Sequence, residues 1–164
     1  MQTVMLRPNF KIVDWTSIEP YFILLEKMPL NSEADLDTFL KSKSELEMAI
    51  DEEKAWRYIR INVDTRDEDA KRIFDFFIDE LEPKIELWFN KLDHKLADSF
   101  AMKFFENKHP IPARSLKKDI EIFREENLPL FSELQKMEQE YGSIISEISV
   151  DIDNKKHTLQ QAAE

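Results

Sequence analysis

Hydrophobic positions along this chain recur mostly three or four residues apart, the period at which side chains share one face of a helix. Near Asp14 a first helix is expected, with Trp15, Ile18, Phe22 and Leu25 on one side and Pro29 ending the pattern. Pro20 sits early in it, close to a first turn whose amides have no intrahelical partner. Ahead of it, residues 1–13 hold Pro8 and the extended-looking FKIV, and read as an arm. Ser32 then has the character of an N-cap, and Glu33 and Asp35 suit the positive end of the helix that follows. Leu36, Phe39, Leu40, Leu46, Ala49 and Ile50 form its stripe, which the spacing extends through Ala55, Trp56, Ile59 and Val63.

The stretch AWRYIRINVDTRDEDA, residues 55–70, is the ambiguous one, because a tryptophan and a tyrosine lie among arginines. Bases stack usefully on aromatics only where a positive groove holds the nucleic-acid backbone. Acids crowd this stretch, so it reads as a helix junction: Trp56 and Tyr58 pack, and Asp64-Thr65 ends one element and caps the next. A third stripe runs through Ala70, Ile73, Phe74, Phe77, Leu81, Ile85, Trp88, Leu92 and Leu96 to about Phe105, with a kink or break expected at Pro83. HPIP at 109–112 reads as a linker. Leu116, Ile120 and Phe123 mark a further helix, and Leu130, Leu134, Met137 and Tyr141 another that ends at Gly142 as its C′ residue.

The tail changes period. In ISEISVDID the residues Ile145, Ile148, Val150 and Ile152 alternate imperfectly, and DNKK supplies a turn, so a short hairpin is expected. Thr158 and Gln161 match a capping box opening another helix. A single turn is far below the roughly 12–15 residues at which isolated helices become marginal, which implies a chain that continues past residue 164 in its parent protein. The fold class is therefore mainly α: a bundle of roughly five to seven helices with a small C-terminal β-hairpin. Its parts are an arm (1–13), a helical lobe (14–142), and a hairpin with the start of a helix (143–164).

Composition narrows the function classes. With 42% hydrophobic residues and 12 Phe there is ample core material, while a single Gly leaves little provision for phosphate-cradling loops. The absence of Cys removes disulfides and thiolate metal sites, and it fits a reducing cytoplasm. A net charge of -11 repels phosphate backbones, so nucleic acid is not an expected partner. No apolar run approaches the ~20 residues of a membrane span, and the N-terminus has no apolar core of signal-peptide length.

Candidate chemistry is sparse. His94, His109 and His157 form neither H-x-x-x-H nor H-E-x-x-H. Glu106 and His109 make one E-x-x-H, whereas a di-iron bundle needs two such pairs and carboxylates from two more helices. Pro110 follows at once, so the expected role of His109 is a solvated helix end near the negative dipole. There is no G-x-S-x-G elbow, and acid pairs such as Glu52-Glu53 and Glu125-Glu126 suit solvated helix surface. No catalytic, cofactor-binding or metal-ligating residue is expected in this chain.

Yet VDWTSIEPYF, SKSELEMAIDEEKAWRYIRINVDTRDEDA, FIDELEPKIELWFNKLDHKL, IEIFREENLPLFSELQKMEQEYGSI and ISVDIDNKKHTLQQAA, in that order, resemble the N-terminal region of oligoendopeptidase F-like zinc metallopeptidases, relatives of thimet oligopeptidase. The resemblance spans about residues 12–164, and AWRYIRINVDT and FREENLPL are its most specific pieces. Asn154 stands where relatives tend to have Gly in the hairpin turn, a substitution that left-handed backbone tolerates. The resemblance implies a catalytic lobe beyond Glu164, where an H-E-x-x-H helix and a further Glu would hold zinc. It also implies that this helical region walls a channel admitting short peptides, inactive alone. The alternative is a stand-alone helical module that binds peptides or a partner helix. On the first reading Ile145, Ile148, Val150 and Leu159 would be bared, so self-association through the tail is expected.

Overall fold

The structure, a computed structural model, describes Leu6 and residues 10–163, apart from the side chains of Leu159 and Gln160. Most of the arm expected at 1–13 lies outside the described residues. Helix α1 (Trp15–Lys27) starts where Asp14 accepts the amide of Ser17 at 3.1 Å, and Ser17 Oγ accepts from the Asp14 amide in return. Pro20 falls at the sixth helical position, past the first turn, so the chain forgoes one helical hydrogen bond there. Helix α2 (Glu33–Val63) is capped by Ser32, whose hydroxyl accepts from Asp35 N at 3.1 Å. Asp64 closes α2, but the cap of α3 (Glu68–Phe76) is Asp67 and not the Asp64-Thr65 pair: its carboxylate receives the amides of Asp69 and Ala70.

No break occurs at Pro83. Helix α3 passes through a π-helical turn (Phe77–Leu81) into α4 (Glu82–Ala97), making one rod over 68–97. The Glu82 amide reaches back five residues to the Phe77 carbonyl. In that register the next donor would be Pro83, which has none, so the wider turn leaves the Ile78 carbonyl open. Ser132 fills the vacancy, donating its hydroxyl to Ile78 O at 3.0 Å. The proline therefore produces a docking point where the sequence suggested a kink.

The rod ends at Ala97, earlier than Phe105, and α5 (Met102–Lys108) follows a turn. HPIP is a tight joint, with His109 ending α5 and preceding α6 (Pro110–Ile122). Pro110 and Pro112 occupy the first turn of α6, where amides have no helical acceptor, so two prolines cost nothing there. A 3₁₀ turn (Glu125–Asn127) leads into α7 (Leu128–Glu147), which continues through Gly142 instead of ending at it. Strands β1 (Ser149–Ile152) and β2 (Lys155–Thr158) pair antiparallel, Val150 opposite His157. Asp153 and Asn154 turn the hairpin with φ of 52° and 62°, the left-handed conformation expected of Asn154. Thr158 and Gln161 exchange the two bonds of a capping box, at 3.0 and 3.3 Å, to open the one-turn helix α8 (Leu159–Ala162). Counting 68–97 as one rod, six helices precede the hairpin among the described residues, within the expected range.

The core lies where α1, α4 and the first half of α2 meet. Phe22 is fully buried, with ring centroids 5.8 Å from Trp15, 5.7 Å from Trp88 and 5.1 Å from Phe89. Leu36, Phe39, Leu46 and Ile50 of α2 join it with Leu92 and Leu96 of α4. The stripe does not continue inward as expected, because Ala55, Trp56, Ile59 and Val63 are exposed and Ile61 is buried instead. Past Ile50, α2 contacts α3 through a different face, with Tyr58 tilted over Phe74 at 6.2 Å and itself half in solvent.

Candidate functional site

The motif residues of the sequence do not converge. Glu106 pairs with Lys117 on the surface, and His109 rests its ring against Phe105 at 5.8 Å. His94 is exposed in the last turn of α4, and His157 lies in β2. Among the described residues no group of three or more His, Cys, Asp or Glu side chains could hold a metal ion. Zinc therefore finds no ligand set in the described part of this chain.

Charged groups between helices act as fasteners. Lys43 of α2 lies 2.7 Å from Glu47 and 3.2 Å from Asp93 of α4, with its ammonium over the Phe89 ring. Burial opposes its charge, but Asp93 and Glu47 together outweigh burial and hold its pKa above the ordinary lysine value. Asp93 has a less favourable balance. Burial raises its pKa first; Lys43 pulls it back, and Glu47 and Asp119 push it up again. One cation thus serves two carboxylates, and Asp93 Oδ1 has the ion pair but no well-directed hydrogen bond among the described residues. A lysine held protonated is a poor base or nucleophile, which makes this centre structural. Lys95 likewise donates to the carbonyls of Leu25 and Met28 at 2.7 and 2.6 Å, anchoring the end of α1, and burial lowers its pKa.

The sequence places the stem of Arg57 over packed apolar surface with its head in solvent; the stem does lie on that surface, but the side chain is only 12% exposed. Its guanidinium binds the Ile12 carbonyl and Glu53 while lying 4.9 Å over the Phe77 ring, so it holds the chain entering α1 against α2. Beside it opens a cleft of about 730 Å³, walled by Phe10, Val13, Glu52, Trp56, Arg60 and Ile73 among others. Trp56, read from the sequence as a packing residue, is 55% exposed on this wall. The apolar walls with a few ionic groups suit recognition of another molecule.

A second surface carries more apolar area. Helix α7 buries only Leu128 and Ser132 fully, while Leu130, Leu134, Met137, Tyr141 and Ile144 are each at least 51% exposed. Next to its first turns is a pocket of about 230 Å³ between Pro83, Glu86, Phe123, Phe131 and Leu134. Glu86 is exposed over part of its length, yet its pKa is raised, first by loss of solvent and then by the charge of Glu82. Glu82 is itself tied to Lys54 of α2, and Gln135 of α7 donates to it at 3.0 Å.

Both surfaces are apolar with ionic groups at their edges. Among comparisons with known proteins, a family model described as the peptidase M3 N-terminal domain matches residues 7–123. No curated protein and no solved structure matches the chain.

Proposed function

The chain belongs to the peptidase M3 N-terminal domain family, and from that premise we propose that it is the substrate-channel lobe of a zinc-dependent oligoendopeptidase that cleaves short peptides. In this reading the lobe is inactive alone. It restricts access to a catalytic centre whose zinc ligands belong to a separate peptidase lobe, in the manner of oligoendopeptidase F-like enzymes. The observation that carries the reading is a pairing: the family match covers the helices from α1 through α6, while their side chains assemble no metal-binding cluster among the described residues. A cysteine-free chain fits the reducing cytoplasm as its compartment.

The test measures zinc content and peptide hydrolysis by the purified 164-residue chain. It should hold far less than one equivalent of zinc and leave quenched-fluorescence short peptides uncut. One tightly held zinc, or hydrolysis abolished by a chelator, overturns the reading. The exposed face of α7 favours a second reading, a helical interaction module complete in itself. Hydrogen exchange separates the two: slow exchange throughout residues 143–164 of the monomer supports the module.

A further inference from the structure

Along α7 the exposed apolar side chains Leu130, Leu134, Met137, Tyr141 and Ile144 recur at alternating spacings of four and three. That is the period of a coiled-coil seam, in which each side chain fits between four of a facing helix. The inner face needed for docking this helix to the rod is a different one, occupied by Leu128, Ser132 and Gln135. The seam is therefore surplus to the fold.

Its borders are acidic. Glu133 and Glu140 each precede a seam residue on one flank, Glu147 continues that flank in the last turn, and Glu138 lies on the other. None of the four has a hydrogen bond or ion pair among the described residues. The only basic residue of α7, Lys136, is engaged by Asp79 at 2.9 Å. A second copy is a poor occupant, since antiparallel α7 helices would set the same glutamate flank against itself. Like charges so placed oppose pairing. The small pocket beside the first turns repeats the pattern, with an apolar floor and Glu82 and Glu86 on its wall. It suits a lysine or arginine whose aliphatic stem is buried and whose charge reaches the carboxylates.

We propose that the outer face of α7 docks an amphipathic helix of the peptidase lobe, one carrying an apolar seam flanked by lysine and arginine. The identity of this partner rests on the proposed function, whereas the chemistry of the surface stands on the glutamates and the seam. The shared heptad period fixes the register. The acids select the partner by sign and exclude a second copy of the lobe.

Two synthetic helices of three heptads, with leucine in the seam and either lysine or glutamate on the flanks, are titrated against the chain. The lysine helix should bind at least about tenfold tighter than its twin. Leu134→Gln with Tyr141→Gln, both at exposed positions, should abolish binding without changing the helical circular dichroism. Glu133→Lys with Glu140→Lys should reverse the preference. Equal binding of the two helices, insensitivity to the seam variants, or a chain dimer that shields Tyr141 overturns the surface chemistry. The partner is tested by hydroxyl-radical footprinting of Met137 and Tyr141, oxidised in the isolated chain and protected at least about fivefold when the peptidase lobe is present. Unchanged oxidation there overturns the lobe as occupant. Zinc bound by the chain itself would defeat the proposed function while leaving the titration result intact, so the two failures are distinguishable.

Discussion

Helices α1 and α7 carry the same sequence signal and meet opposite fates. Each has apolar residues three and four apart. In α1 the stripe of Ile18, Phe22 and Leu25 is wholly buried, whereas in α7 the stripe of Leu134, Met137 and Tyr141 is mostly in solvent. Periodicity dictates that a segment is helical and which face is apolar; it says nothing about what covers that face. In α1 the cover is supplied by α2 and α4 of the same chain. In α7 the packed face is a second and smaller one, held by a hydroxyl and an amide.

The largest test of this contrast removes one side chain from each helix. Phe22→Ala deletes a ring enclosed by Trp15, Trp88 and Phe89, and should cost about 3–5 kcal/mol in a denaturant titration. Leu134→Ala should cost less than about 0.5 kcal/mol, because the side chain is already half in water. Comparable losses at the two sites would mean that α7 is covered in solution.

A second group of tests concerns the fastener between α2 and α4. Lys43→Met leaves Glu47 and Asp93 facing each other without a cation. Breaking a fully buried pair costs about 3–5 kcal/mol, and the 16% and 19% exposure of these side chains reduces the expected loss to about 2 kcal/mol. Asp93 adds a pH signature. Its folded pKa lies above the unfolded value of about 3.9, so the folded state holds more protons and stability falls as pH rises from there through the raised folded value. Asp93→Asn should remove that decline. A fall of unchanged steepness in the variant would assign it to another carboxylate, Glu86 being the next candidate.

Ser132→Ala attacks the attachment of α7. The Ile78 carbonyl, left open by the π turn and Pro83, would lose its donor inside a buried contact, at about 1–2 kcal/mol. Ser132→Thr keeps the hydroxyl and should recover most of that loss. If alanine proves neutral, α7 is held by apolar contacts alone.

What the sequence conveyed follows the range of the forces involved. Short-range rules held well: Ser32 as a cap, the left-handed Asn154, and the Thr158–Gln161 box all depend on neighbours within three residues. Proline was misread twice for one reason. Pro83 and the HPIP prolines were taken as interruptions, but the π turn and the first turn of α6 absorb the missing amides. The exposure of Trp56, Ile59 and Val63 could not be read locally, because it depends on where α3 crosses α2. The tie of Arg57 to Ile12 carried no local signal, since that carbonyl lies 45 residues away along the chain.

The smallest effect completes the comparison. Gly142 was read as a C′ residue, a role that would need left-handed backbone, yet it lies inside α7 with no positive φ. A Cβ built there meets nothing within 4 Å. Gly142→Ala should therefore stabilise α7 by about 0.5–1 kcal/mol, through the backbone freedom that glycine loses on folding. Because α7 contributes little to the core, the gain should appear as slower amide exchange in residues 138–147, with a smaller change in the global transition. An equal effect on both would mean that α7 unfolds together with the core, and the distinction between the two helices would then apply to solvent exposure and not to cooperativity.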